Sequence, residues 1–427
     1  MKFPGKRKTQ HYFPVGQTPR TGFDSELIGH DKVYVVGLDQ LIVDIEAQVS
    51  DDFLSQFRLK KGESIVVTDA ILEEMYQIIK EQKKIVGTFA GGATGNTLHN
   101  YSVLSDDRSV ALGAITGQFT VGDDAFKYLC STNSHVDFSH LMPVPGNMAR
   151  ALCLITPDSE RTFAVGKGIM NELSPEFIPE AVVAGAGAVL VSAYLLRDEK
   201  APMYQSFIKT AELCLKNDIP LVMSLGTSML VQEKSEMLNT IIKKYVSVVT
   251  MNRAEGEALT GFKTCFEIGE KILEICDLAL VTDGARGLFM AGYVDDNWKR
   301  ETKLPLRGFN QYEYSRAQRK KYCETPLKIY THIDPFLGGP EVIKNTNGAG
   351  DAALSAVLHD LCANVYHRLN LPQSDKHRDN FLTYSSIHQV SKYANRVSYE
   401  ILNQSSPRLL HGLPMKDESL EDGYWDL

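Results

Sequence analysis

The sequence predicts an α/β fold: a three-layer α/β/α sandwich on a mostly parallel central sheet. Two patterns carry that expectation. Short runs dominated by apolar or β-branched residues at 188–192, 220–224, 247–251 and 278–282 read as strands buried on both faces. Helical periodicities at 204–217, 235–244 and 254–259 fill much of the space around them. In such sheets ligands bind beyond the carboxyl ends of the strands, so the search for a site starts there.

Taken in order, residues 1–31 are polar with scattered Gly and Pro and read as an N-terminal arm; 32–427 form one domain. Buried strands follow at 33–37 and 41–49, and a helix at 71–80. Strands are expected at 110–115, 151–156 and 162–165. Pro157-Asp158-Ser159-Glu160 turns the last two into a hairpin. The run 181–196 is the most apolar in the chain, yet too short and too rich in Gly and Ala to span a membrane. Gly185-Ala186-Gly187 lacks the third glycine of a dinucleotide fingerprint and reads as close helix–sheet packing. Residues 291–344 break the rhythm; rich in Lys, Arg and Tyr, they read as a solvated surface insertion.

Composition narrows the function classes. A net charge of −8 argues against nucleic-acid binding. Seven scattered cysteines with no CxxC pair exclude a zinc ribbon or redox motif and fit a reducing compartment. The basic first residues carry no apolar signal core, so the expected location is the cytoplasm. There is no Walker loop.

The most informative stretch is Asn345-Thr346-Asn347-Gly348-Ala349-Gly350-Asp351, which opens straight into an amphipathic helix reaching about Tyr366. Small residues let the backbone approach a ligand, and free N–H groups at a helix start favour negative charge. Gly348, Ala349 and Gly350 therefore suit a transferring phosphoryl group. Asp351, in the first turn, is placed to take a proton from an attacking hydroxyl.

This stretch, with Ser355-Ala356-Val357-Leu358 behind it, resembles the C-terminal signature of the ribokinase-like (PfkB) carbohydrate and nucleoside kinases. Further matches follow in that family's order. Val35-Val36-Gly37 precedes Asp44, which falls where the family's acidic residue binds sugar hydroxyls; Asp39 stands where relatives often have Gly and, with Gln40, is expected to contribute to the acceptor site. Gly91-Gly92-Ala93-Thr94-Gly95-Asn96 matches its glycine-rich acceptor loop. Asn252-Arg253-Ala254-Glu255 resembles its NxxE motif, which implies Mg2+ organised by Glu255, largely through water. Thr282-Asp283-Gly284-Ala285-Arg286-Gly287 resembles its phosphate turn, and Asn395 its adenine border. The resemblance thus implies nucleotide contacts at Asn252, Thr282, Asp283, Gly284, Gly287, Asn347, Gly350 and Asn395. It also implies a small β lid drawn from about 45–65 and 150–165. Asn345 departs from the family's usual Asp, which helps hold a monovalent cation, and so weakens the case for K+ beside ATP and Mg2+.

Within the family, the chain closely resembles the bacterial branch acting on inosine and guanosine. Stretches such as Asn100-Tyr101-Ser102-Val103-Leu104, Phe309-Asn310-Gln311-Tyr312-Glu313 and Ser406-Pro407-Arg408-Leu409 carry that likeness. It implies phosphorylation of the 5′-hydroxyl in purine salvage, and Arg197 as a substrate contact. The residues alone reach only a ribose-like acceptor and an activated phosphate. Adenosine or another sugar as acceptor, a non-catalytic nucleoside sensor, and a homodimer all stay open at this level.

Overall fold

Val35–Leu38 lies inside a twelve-stranded sheet, between Ser109–Thr116 on one side and Ala188–Ser192 on the other, parallel to both. Beyond Ala188–Ser192 the parallel run continues through Leu221–Ser224, Val248–Asn252 and Leu278–Thr282. The computed structural model describes residues 33–413 except 106, 119, 159, 303–307, 371 and 374–379. The expected arm at 1–31 lies outside the described residues.

The strand expectations hold because the side chains alternate between two cores. From Ala188–Ser192, Leu190 faces one apolar cluster while Val189 and Val191 face the other; from Val248–Asn252, Val248 and Val249 divide the same way. The first cluster is roofed by the helices Ala93–Ser105, Ala349–Asn370 and Ile387–Leu402. The second is roofed by Pro202–Lys216, Ser235–Tyr245, Arg253–Thr260 and Cys265–Ile272. That is the three-layer sandwich, with the period of two along each strand serving both faces. Gly187 allows the close packing expected of it: a Cβ there would come 2.5 Å from Val33 Cγ1 and 3.1 Å from Cys362 Sγ on the 349–370 helix.

A second sheet of five strands runs in the order Ser64–Val67, Arg161–Gly166, Ala149–Ile155, Ile42–Gln48, Ile85–Ala90. Ala149–Ile155 and Arg161–Gly166 are the expected hairpin, paired antiparallel from Arg150 opposite Gly166 to Ile155 opposite Arg161. Burial alternates along Arg161–Gly166, as it does in a strand with one wet face. This sheet contains strands from both expected lid segments and adds Ile85–Ala90.

One expectation is overturned. The described residues of 291–344 do not form one surface insertion; they carry strands of the main sheet. Leu288–Asp295 is buried along its whole length and pairs antiparallel with Leu278–Thr282 and with Pro326–Ile333, while Arg316–Gln318 bridges to Phe381–Ser386. The polar composition misled because long amphipathic side chains do the packing. Tyr330 joins Phe266, Phe289 and Phe309 in an aromatic cluster, the Arg316 guanidinium lies 4.2 Å from the Phe381 ring centroid, and buried Arg319 bonds Asp218 and Ser247.

Candidate active site

The carboxyl ends of the parallel strands open into a cleft of about 780 Å3, floored by Asp39, Ser192, Ser224, Asn252 and Thr282 and walled by the second sheet through Phe163 and Val165. In this sheet Val35–Leu38 is followed by Ser109–Thr116 on one side, and its other neighbour Ala188–Ser192 is followed by Leu221–Ser224 on the opposite side, so a topological switch point falls between these two adjacent strands.

The 346–350 loop is built as its residues require. Gly348 sits at φ +78°, the left-handed region, and a Cβ on it would overlap the carbonyl of Pro407. The helix Ala349–Asn370 then begins, and its first N–H groups have no intrahelical acceptors. Asp351 sits in that first turn with its Oδ2 accepting a 3.0 Å hydrogen bond from Asn96 Nδ2. Burial pushes its pKa up to about 7, against the Asn96 hydrogen bond and the Arg408 charge, which lower it; nearby Asp39 raises it.

Opposite, Asp44 is also raised to about 7, by burial first, with Arg408 lowering and Asp351 and Glu46 raising. Burial raises Asp39 as well, although Tyr128 Oη donates to its Oδ2 at 2.7 Å and Arg408 adds positive charge. Gly95 is required for that cluster: a Cβ there would lie 2.7 Å from Asp39 Oδ2 and 2.8 Å from Arg408 Nη2. Glu255 closes the set. It completes a capping box with Asn252, whose backbone N–H and side-chain amide both donate to it, at 3.0 and 2.6 Å. Burial lifts it to about 8, with Asp351 adding to the rise. One cleft thus gathers four carboxyls of raised pKa, an arrangement typical of functional sites and one that favours a positively charged or hydrogen-bond-donating ligand.

Of the residues expected from sequence, all but two line this cleft: the acceptor residues Asp39, Gln40, Asp44, Gly92, Asn96 and Arg197, the loop Asn347–Asp351, and Asn252, Glu255, Thr282, Gly284, Gly287 and Asn395. Asp283 does not. Its carboxylate is spent on Arg253, at 2.9 Å, and on Arg286, which hold it below the usual carboxylate range, so it braces the turn from behind. Gly91 stands behind Asp44, where any Cβ would overlap the Asp44 carboxyl. Asn395 lines the cleft, but its amide is committed to the 334–336 backbone: it donates to the Asp334 carbonyl at 2.5 Å and accepts from the Phe336 N–H at 3.4 Å. Asn345 is fully engaged too, accepting from Arg161 Nη1 and from the Asn347 N–H, each at 2.9 Å, and donating to the Ser405 carbonyl.

Three contributors escaped the sequence reading. Tyr194 lies against Gly226 and under the Arg197 guanidinium, 5.3 Å from its ring centroid; nothing local marks a lone Tyr after a strand. The 335–343 loop lines the cleft with Phe336 and Ile343, and Gly338-Gly339-Pro340 was the overlooked turn signal. Arg408, 3% exposed, donates to Asn96 Oδ1 from 312 positions away, a distance no local pattern spans.

Comparison with known proteins agrees with this geometry. The sequence profile described as pfkB family carbohydrate kinase matches residues 62–303. The guanosine-inosine kinase of Escherichia coli (strain K12) is 48% identical over 433 residues, covering 100% of both chains. The adenosine kinase from Sinorhizobium meliloti superposes with a TM-score of 0.67 at 21% identity, over 90% of this chain and 97% of that one. A probable sugar kinase from Rhizobium etli CFN 42 gives 0.68 at 19% identity, over 92% and 99%. These two structural likenesses speak for the fold.

Proposed function

Because this chain belongs to the pfkB family of carbohydrate kinases and is a nucleoside kinase, we propose that it phosphorylates guanosine and inosine at the 5′-hydroxyl with ATP, in the cytoplasm, making GMP and IMP. The observation that carries the chemistry is Asp351, set behind the Gly348–Gly350 amides and sharing one cleft with Asp39 and Asp44. The choice of purine rests on the end-to-end likeness to the guanosine-inosine kinase.

In this reading Asp39 and Asp44 accept hydrogen bonds from the ribose hydroxyls, since a carboxylate takes two at once. Asp351 takes the proton of the 5′-hydroxyl. The 5′-oxygen forms its bond to the γ-phosphorus as the bond to the β–γ bridging oxygen breaks, and ADP leaves. The Gly348–Gly350 amides stabilise the charge on the phosphoryl oxygens. Thr282, Gly284 and Gly287 hold the nucleotide phosphates, and Asn395 keeps the 334–336 backbone in shape beside the adenine. Arg197, resting on Tyr194, offers donors to the carbonyl of a 6-oxopurine.

Mg2+ fits the residues present. Glu255 is a buried carboxyl whose raised pKa a hydrated cation would relieve, but both its oxygens already accept from Asn252, which favours contact through water. Among the described residues no three His, Cys, Asp or Glu side chains converge as a cage, so the ion would be shared with the phosphates. When bound, it supplies charge neutralisation there.

The test is an ATP-consumption assay over guanosine, inosine, adenosine and ribose. Turnover with the first two and little with adenosine is the expected result. Preference for adenosine would keep the mechanism and discard the 6-oxopurine reading.

A further inference from the structure

We infer that Arg408 is a positioning residue for phosphoryl transfer: its guanidinium fixes the orientation of the Asn96 amide and so aims an N–H at the base. The inference rests on the reading of Asp351 as that base.

An amide side chain presents a carbonyl oxygen on one side and an NH2 on the other, and its neighbours decide which faces where. Arg408 has only donors. Its Nε donates to Asn96 Oδ1 at 2.9 Å, which leaves Asn96 Nδ2 facing Asp351 Oδ2 at 3.0 Å. One carboxylate oxygen of Asp351 is thereby held, and the other is left for the acceptor hydroxyl. The rest of the guanidinium is equally committed, donating to Thr132 Oγ1 at 2.6 Å and to the Gly91 carbonyl at 3.1 Å. Its Nη2 also lies 3.2 Å from Tyr128 Oη, the hydroxyl that donates to Asp39. Among the described residues Arg408 makes no direct ion pair with a carboxylate. It is a buried cation held by neutral groups, acting on the acidic cleft at one remove.

The segment that carries it is anchored for this purpose. The Leu409 N–H donates to Asn100 Oδ1 at 2.8 Å, and the Leu409 carbonyl meets His99 Nε2 at 3.0 Å, both on the Ala93–Ser105 helix that bears Asn96. Pro407, one residue before Arg408, packs its carbonyl against Gly348. Acceptor loop and anion loop are therefore joined through the 404–410 segment.

The charged and titratable groups facing Asp351 are Asp39 and Asp44 from the acceptor strands, Glu255 from the 253–260 helix, Tyr194 from the strand end, and Arg408. Arg408 is the cation named among them, and it opposes the rise that burial imposes on Asp351 and Asp44.

The experiment measures kcat and kcat/KM against pH for wild type, Arg408→Gln and Arg408→Lys, with melting temperatures to establish folding. Arg408→Gln is expected to move the acid limb up by roughly one pH unit, as loss of a nearby opposite charge does. Arg408→Lys keeps the charge but cannot span Asn96, Gly91 and Thr132. It should leave the limb nearly in place and lower kcat about tenfold, with the KM for ATP unchanged. An unmoved limb in a folded Arg408→Gln enzyme overturns the inference, as does wild-type kcat in Arg408→Lys. Should Arg408→Gln fail to fold, the kcat of Arg408→Lys decides alone. A wild-type enzyme that turns over without an acid limb near neutrality refutes Asp351 as the base instead, a different result from variants that leave an existing limb untouched.

Discussion

Asp351 carries opposing demands. In the proposed role of base it would have to ionise near neutrality, in a buried site beside three other carboxyls of raised pKa. Asp351→Asn should therefore lower kcat about 10³-fold while leaving the nucleoside KM within a few-fold. The same substitution should raise stability at pH 8.5 by roughly 1 kcal/mol or more, because it removes a buried charge that the fold resists. Urea unfolding of both proteins at pH 8.5 checks the second outcome, and a less stable variant would contradict it. At this scale much of the site was legible. Asp351 and the glycines announce themselves through one short run of residues, which the structure sets at a helix start lining the cleft. Arg408 and Tyr128 did not, because their meaning lies in contacts made across the fold. Asp283 stands apart for a related reason: Thr282, Gly284 and Gly287 of its motif line the cleft, while its side chain turns to Arg253 and Arg286.

The elements differ in how much each one holds. Ala188–Ser192 is buried throughout, and Leu190, 1% exposed, belongs to the cluster beneath the 349–370 helix. Leu190→Ala should cost about 3 kcal/mol through lost burial and an unfilled cavity. Val86, 59% exposed in the outer strand Ile85–Ala90 of the second sheet, should cost almost nothing when replaced by Ala. Urea titrations of the two variants make the comparison; equal losses would mean the second sheet is as tightly packed as the first. The parallel strands could be read from sequence because burial on both faces leaves an uninterrupted apolar run. Leu288–Asp295 and Pro326–Ile333 could not. They sit where the sheet turns antiparallel, and Tyr330 within them and Arg316 and Arg319 beside them reach the core with rings and apolar stems that a count of polar residues does not register.

For the whole molecule, the raised carboxyls set the pH response. Asp44 and Asp351 at about 7 and Glu255 at about 8 hold protons that the unfolded chain has already released above its ordinary carboxyl range. Their stabilising contribution is complete below that range and is lost as pH rises through 7 to 8. His99 and His388, lowered to about 3 and about 4 by burial, act in the opposite sense, but only below about pH 6.5, where unfolded histidine takes up its proton. Between pH 6.5 and 8.5 the ligand-free protein should melt at steadily lower temperature, and added Mg2+ should flatten that slope by placing positive charge beside the ionised Glu255 carboxylate. Scanning calorimetry with and without Mg2+ reads both; a melting temperature that climbs across the window would refute the assignment. The 404–410 segment adds a temporal consequence. A nascent chain released through residue 403 already possesses every described strand and helix, and can assemble its sandwich, but it has not yet made Arg408. The strands and helices are thus synthesised before the segment that ties the 91–96 loop to the 346–350 loop, so a product cut short just after its last described helix should turn over more slowly and melt at a lower temperature than the whole chain.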